Sequence, residues 1–355
     1  MTGSVQTAVI GVTGYAGAEL ARLLLHHPRL RGTPPVFAGR VDEKDAARGG
    51  VPLAEIHPHI VDNNGSGDLR QEAFSWELLA ARGVEVLFLA TPHEQSRAWA
   101  PEALARGLRV IDLSGAWRLT EAANRAVYAF EDDDPELASA TQAQAVYGMP
   151  ELHRAKIAGA RLVANPGCYS TSVILPLRPL VAAGLVDLEC GIIADSKSGV
   201  SGAGKAPTAK THYMYAADNL SAYGAFTHRH TGELLEQIGV STEQIAFVPH
   251  LLPIPRGILS TIHVRFKQPQ TRESIAHVYR EFFSGSPMVR LYGHTLPQIQ
   301  YSVRTCYADI GFQLDASGRR AVIVSCLDNL LKGASSQAVQ NLNVMYGWGE
   351  AEGLE

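Results

Sequence analysis

The stretch Gln6-Thr7-Ala8-Val9-Ile10-Gly11-Val12-Thr13-Gly14-Tyr15-Ala16-Gly17 decides how the first half of this chain folds. Gln6–Gly11 is a short apolar run that reads as a strand, and Ala16–His26, rich in Ala and Leu, reads as the helix behind it. A tight turn joining strand to helix gathers free N–H groups and the positive end of the helix dipole at one point, where a pyrophosphate can sit. The fingerprint for such a site is G-x-G-x-x-G; here Thr13 fills the middle glycine slot and Gly14 follows it. The residues placed to meet the phosphates are Gly11, Thr13, Gly14, Tyr15, Ala16 and Gly17. A turn that binds nothing would carry the same glycines, so the surrounding pattern decides.

That pattern continues outward as alternating strands and helices. Pro35–Gly39 is a second strand, Val84–Ala90 a strand buried on both faces, Gln95–Arg106 a helix closed by Gly107, and Leu108–Leu113 a further strand. Alternation of this kind predicts βαβ units and a parallel sheet, hence an α/β dinucleotide-binding domain of the Rossmann type. At the end of the second strand an acid would accept from a ribose 2′-OH, whereas an arginine meets a 2′-phosphate. Arg40 holds that slot, with Asp42 and Glu43 close behind, so NADP(H) is favoured over NAD.

After about Ala164 the texture changes. A Gly/Ser/Lys-rich segment, Ser196–Lys205, reads as a loop able to hold an anion in a nest of N–H groups, or equally as plain surface. The β-type segments Ile245–Leu251, Leu259–Phe266, Tyr307–Leu314 and Ala321–Leu327 follow, with one good helix, Arg272–Phe283. Closely spaced strands predict an antiparallel sheet and a second, α+β domain. Lys332–Tyr346 closes the pattern as a long helix.

The 355 residues are enough for two domains, and 46% hydrophobic with 19% charged is an ordinary globular balance. With 31 Lys and Arg against 35 Asp and Glu there is no basic surplus for nucleic acid. No apolar run is long enough to span a bilayer. Met1–Gln6 lacks the features of a signal peptide, and four scattered cysteines without a CxxC pair fit free thiols, so a soluble cytoplasmic protein is expected.

Asn165-Pro166-Gly167-Cys168-Tyr169-Ser170-Thr171 is the most informative stretch for chemistry. Pro-Gly ends a strand and the apolar helix Ser172–Ala183 follows, so Cys168 falls at a helix N-terminus, where the dipole favours thiolate. Cys190, Cys306 and Cys326 lie in or beside apolar β-type runs and read as buried structural thiols. A cysteine that attacks an acyl group needs a proton partner. His228 and His230 are the candidates; extended backbone would put both on one face, with Thr227 or Thr231 capping the short helix beyond. Solvated histidines and a metal pair are the competing readings, and His-x-His alone does not make a metal site. His57 and His59 read as solvated loop residues. A nucleotide fold plus an activated cysteine suggests reduction of an acyl phosphate through a thioester, which accepts hydride where a carboxylate does not.

At these residues the chain resembles the N-acetyl-γ-glutamyl-phosphate reductases of arginine biosynthesis. The resemblance rests on Gly11–Gly17, Thr91-Pro92-His93, Asp112-Leu113-Ser114, Asn165–Thr171, His228–Glu233, Pro249-His250-Leu251 with Arg256-Gly257-Ile258, and Asp328–Gly333. It implies a semialdehyde-dehydrogenase-like fold: an NADP-binding domain at 1–165 completed by 329–355, and a catalytic and oligomerisation domain at 166–328. It implies Cys168 as nucleophile and His230 as acid/base, with His228 in reserve. Thr91, Pro92, Ser114, Ser198, Gly199, Asn329 and Gly333 join the cofactor contacts. Arg118, Asn165, Ser196, Lys205 and Arg256 join the contacts to N-acetylglutamyl phosphate or the released phosphate. No metal, nucleic acid or membrane partner is implied, and a homotetramer or homodimer is. Gly115 and Trp117 depart from the Ala and Phe usual there, leaving pocket shape open at that point.

Two other readings stand beside it. A sibling of the lysine pathway reduces an acyl phosphate on an acidic carrier protein, and would want a basic surface beside its site. An NADP-sensing regulator could keep the fold and lose the chemistry.

Overall fold

A computed structural model describes residues 5–60 and 68–355 of the chain; Met1–Ser4, where the reading for a signal peptide begins, lies outside them. The chain divides into two compact units. The first is Met1–Arg118, Glu131–Asn165 and Ser335–Glu355, and the second is Leu119–Phe130 with Pro166–Ala334.

The first unit holds a sheet of β1 (Thr7–Ile10), β2 (Val36–Gly39), β3 (Val51–Pro52), β4 (Arg70–Ala73), β5 (Val86–Leu89), β6 (Arg109–Asp112), β7 (Ala145–Tyr147) and β8 (Leu162–Ala164). Its order is β3-β4-β2-β1-β5-β6-β8-β7, parallel except for the β3–β4 edge pair. β1, β5 and most of β2 and β6 are wholly buried, which fits their unbroken apolar runs. The order reverses at β1, with β2 on one side and β5 on the other, and such a switch point is where open α/β sheets bind ligands.

The helices Tyr15–His26 and Ser336–Tyr346 pack on one another. Ser335 Oγ donates to the carbonyl of Ala16 at 2.7 Å, and Gln337 and Asn341 both donate to the Gly148 carbonyl. The C-terminal helix therefore completes the first unit. It begins four residues later than Lys332–Tyr346 predicts, because Leu331–Ser335 forms a wider π-type turn first.

The second unit holds β9 (Ile192–Gly199), β10 (Ser221–Ala222), β11 (Ile245–Leu252), β12 (Ile258–Arg265), β13 (Val289–Leu291), β14 (Ala308–Leu314) and β15 (Arg320–Leu327), in the order β10-β11-β9-β12-β15-β14-β13. The expectation of an antiparallel sheet needs correcting: β9–β11 and β13–β14 run parallel. The long chain excursion from the end of β9 to β11 supplies the crossover that a parallel pair needs. The helix Cys168–Ala182 packs on β12, β15 and the helix Arg272–Phe282, where Tyr279 donates to the Pro176 carbonyl at 2.7 Å.

The units differ from a simple division at 165 and 329. Leu119–Phe130 belongs to the second unit because the Glu236 carboxylate gathers it, accepting from Thr120 N and Oγ1, Glu121 N and Asn124 Nδ2. Asp328–Ala334 stays there too, through Asn329 and the buried Asp328. Among the described residues no helix is long and apolar enough to cross a membrane.

Candidate active site

Cys168 is the first residue of the helix Cys168–Ala182, four residues earlier than the apolar run suggests, and it is partly exposed. Gly167 is the N-cap, and no side chain caps the helix. The place a cap would take is crowded by other groups. A Cβ on Gly167 would lie 2.6 Å from His230 Nε2 and 2.8 Å from Glu233 Oε1. Glu233, fully buried, accepts from the Gly167 amide at 2.9 Å. On another side, a Cβ on Gly333 would lie 2.7 Å from the Cys168 Cβ. Three buried elements thus meet at the nucleophile through two glycines.

The histidine segment is a turn rather than extended chain, with Phe226 at φ 61°. The two imidazoles still come together, 4.7 Å apart and nearly perpendicular, because His228 Nδ1 accepts from the His230 amide at 3.2 Å. His230 itself is the N-cap of the helix Thr231–Leu234, so neither Thr227 nor Thr231 caps it. Burial, helped by the charge of Arg229, pushes the His228 pKa down to about 4, so this ring is neutral at neutral pH. Tyr169 stacks edge-on to both imidazoles and donates to the His250 carbonyl at 2.7 Å. Burial raises the pKa of both Tyr169 and Tyr223 above the ordinary phenol value.

These residues line a cavity of about 610 Å³ with Ser198, Gly199, Gly202, Thr208, Lys210, Tyr223, Thr227 and Arg229 around it. That volume suits a small ligand rather than a polymer. Among the described residues no group of three or more His, Cys, Asp or Glu is placed to hold a metal ion.

Several expected contacts are engaged elsewhere. Ser196 and Ser198 belong to β9 rather than to a loop, and Ser196 is fully buried with its hydroxyl 2.6 Å from Ser260 Oγ. Ser196 is therefore a core residue. Arg118 is buried and donates from Nε to the Asn165 carbonyl and from a terminal nitrogen to the Leu113 carbonyl, holding two strand ends of the first unit. Asn165 is buried and accepts from Asn341. Arg256 pairs with the fully buried Asp328 at 3.1 Å. Asn329 accepts from the Gly257 amide and donates to Ser201. Lys205 is exposed and does not line the cavity. Cys306 and Cys326 are buried, the latter pushed up to about 12 by burial, but Cys190 is exposed beside Asp187, contrary to expectation. His57 is half-buried and bonded to the Val12 carbonyl rather than solvated.

Sequence reading missed Glu233, Lys210, Tyr223 and Arg229. Only Glu233 carried a signal, an acid in the first turn of the helix that follows His230.

In the first unit the Gly11–Gly17 turn fits a dinucleotide phosphate. Gly11 has φ +96°, and a Cβ there would strike the Ala90 carbonyl oxygen at 2.3 Å; one on Gly17 would lie 2.1 Å from the Gly11 oxygen. No side chain caps the helix Tyr15–His26, so its first-turn amides are available to an anion. Thr91 Oγ1, just beyond β5, is buried with no hydrogen-bond partner among the described residues, and Ser114 is fixed by the buried Asp112. Arg40 projects into solvent past β2 and has no ion-pair partner among the described residues. Asp42, its rival for the ribose, instead caps the next helix by accepting from the Asp45 amide at 2.8 Å. The residues present fit NADP(H).

Comparison with known proteins agrees with both halves. Residues 6–160 match the family model described as semialdehyde dehydrogenase, NAD binding domain, and residues 168–329 match semialdehyde dehydrogenase, dimerisation domain. Aspartate semialdehyde dehydrogenase II from Vibrio cholerae, solved with ASA, shares the fold at TM-score 0.70 and 18% identity, over 97% of this chain and 99% of that one. The aspartate semialdehyde dehydrogenase of Candida albicans, solved with NADP, does so at TM-score 0.68 and 15% identity, over 98% and 99%. The N-acetyl-γ-glutamyl-phosphate reductase of Dehalococcoides mccartyi strain CBDB1 is 41% identical over 99% of this chain and 97% of its own. Those of Desulfotalea psychrophila (40%, over 99% and 98%) and Methanocaldococcus jannaschii (38%, over 98% and 97%) are similar throughout. This chain belongs to the N-acetyl-γ-glutamyl-phosphate reductase family.

Proposed function

We infer that the chain reduces N-acetyl-γ-glutamyl phosphate to N-acetylglutamate semialdehyde and phosphate with NADPH, a step of arginine biosynthesis. The observation that carries the reading is Cys168, partly exposed at an uncapped helix start, in the wall of a small cavity it shares with His228 and His230.

Cys168 attacks the acyl carbon; the C–S bond forms as the C–O bond to phosphate breaks, leaving a thioester. His230 takes the thiol proton as sulfur attacks and gives it to the departing phosphate. His228, neutral and accepting from the His230 amide, holds that imidazole in place. Glu233 fixes the Gly167 amide and with it the approach to the nucleophile. NADPH, when bound, supplies the hydride that reduces the thioester, and the Gly11–Gly17 turn with Arg40 would hold it. The reduced adduct on Cys168 collapses, the C–S bond breaks, the aldehyde leaves, and water restores the thiol proton. The first unit takes the nucleotide role and the second the catalytic and oligomerising role. A homodimer or homotetramer acting in the cytoplasm completes the reading.

The test runs the reaction backward: N-acetylglutamate semialdehyde, NADP⁺ and phosphate should yield NADPH, and arsenate should replace phosphate, since the thioester needs only an oxyanion acceptor. No NADPH with either anion would overturn the reading.

A further inference from the structure

The substrate inferred above carries negative charge at two ends, the acyl phosphate and a carboxylate four bonds from the reacting carbon, roughly 5 Å away when extended. Of the cations first expected to meet it, Arg118 is spent on carbonyls and Arg256 on Asp328, and Lys205 does not line the cavity. Among the described residues lining the cavity there is no Asp or Glu, and its charged walls are Lys210 and Arg229. Neither has an ion-pair partner among the described residues.

Tyr223 links one of them to the histidines. The His230 and His228 rings lie 4.7 Å apart, the Tyr223 ring 5.5 Å from that of His228, and Lys210 Nζ 6.0 Å from the centre of Tyr223. Tyr223 thus neighbours both His228 and Lys210, and the Thr208–Thr211 capping box holds the turn that carries the lysine. Arg229 lines the same cavity as Tyr223 and Lys210. An acid-free wall with two cations in the cavity that also holds Cys168 suits an anionic group that does not itself react.

We propose that Lys210 and Arg229 form the subsite for the substrate's carboxylate and select acyl groups that carry one. The proposal takes its ligand from the function inferred above, but the subsite can be tested without that function. The probe is alkylation of Cys168 by 5-bromolevulinate, whose carboxylate is four bonds from its reactive carbon, against its uncharged methyl ester. The wild-type chain should prefer the acid. Lys210→Met with Arg229→Met should lower the acid-to-ester rate ratio about tenfold to a hundredfold, the range for one or two charge-assisted contacts, while the ester rate holds and reports an intact fold and thiol. Each single variant should lower the ratio in part. An unchanged ratio in the double variant overturns the proposal, and so does an equal slowing of both reagents. Should the chain show no reductase activity while the ratio still falls, the substrate assignment fails and the anion subsite remains.

Discussion

Two helix starts in this molecule use the same backbone device for opposite ends. At Gly14 and at Gly167 a β-region N-cap opens a helix with no side-chain cap among the described residues, so each turns the positive end of a dipole toward its site. Around Gly11–Gly17 the close neighbours are backbone: the Ala90 carbonyl against Gly11 and the Gly11 carbonyl against Gly17. Around Gly167 they are titratable side chains, His230 and Glu233. A dipole enclosed by peptide groups is a place to hold an anion, while one enclosed by an imidazole and a carboxylate is a place to move a proton. The helix start does not choose between these; the groups packed on its glycine do.

The comparison breaks at once if the second start has no reacting sulfur. Cys168→Ser should cut phosphate-dependent NADP⁺ reduction by about 10⁴-fold or more, the scale for losing a nucleophile. Nucleotide binding, followed by NADPH fluorescence, should persist. A variant with substantial turnover would remove the thioester from the mechanism.

The glycines sharpen it, since each should damage only its own site. Gly167→Ala drives a Cβ into His230 and Glu233, and should slow Cys168 alkylation and turnover by about a hundredfold, as misplacement near the chemistry does, with NADPH affinity kept. Gly11→Ala strains a residue at φ +96° against Ala90. That costs about 1–3 kcal/mol locally and should appear as a tenfold or greater rise in KM for NADPH, with alkylation kept. Crossed effects would mean that the two starts do not divide the labour.

Smaller again is the cost of keeping His228 uncharged beside the second start. Its folded pKa lies below the unfolded 6.5, at about 4, so the unfolded chain binds its proton first as pH falls. Its contribution to stability is whole above pH 6.5 and drains away toward pH 4. The 2.5-unit gap is worth about 3 kcal/mol at 1.36 kcal/mol per unit. His228→Gln should therefore lose less stability than wild type between pH 7 and pH 4.5, read from urea midpoints; His27, also lowered by burial, leaves a remainder in both. An identical loss in variant and wild type would mean that His228 is not held neutral.

What could be read in the sequence was what is local along the chain. β1, β5, β12 and β15 follow from apolar runs, and the two helix starts from glycines next to them. β4, Arg-Gln-Glu-Ala, has no such pattern and is a strand because β2 pairs with it. β9 was hidden for a related reason: Ser196 and Ser198 look like loop residues until Ser260 and the Gly199 carbonyl bond their hydroxyls inside the sheet. At the site Cys168, His228 and His230 announced themselves by type and spacing. The Glu233 bond to Gly167 spans 66 residues and left little trace. Arg118 and Arg256 show the converse, since a charge is visible in a sequence but its partner is not; carbonyls and Asp328 had already claimed them.

The same limit of two neighbouring charges decides the smallest effect, at the nucleotide end of the comparison. Beyond β2 an acid and a base stand two residues apart, and reading by position alone could assign the ribose to either. The structure separates them by what else they do: Asp42 Oδ1 is taken by the Asp45 amide, whereas the Arg40 guanidinium has no such tie among the described residues. Arg40→Ser should then lower kcat/KM for NADPH by about tenfold to a hundredfold, the value of a charge-assisted contact to the 2′-phosphate, and leave NADH use nearly as it was. Asp42→Ala should do the reverse, costing about 1 kcal/mol of helix capping and leaving the nucleotide preference in place. If Asp42→Ala shifts the preference and Arg40→Ser does not, the acid reads the ribose, and the first helix start serves NAD instead.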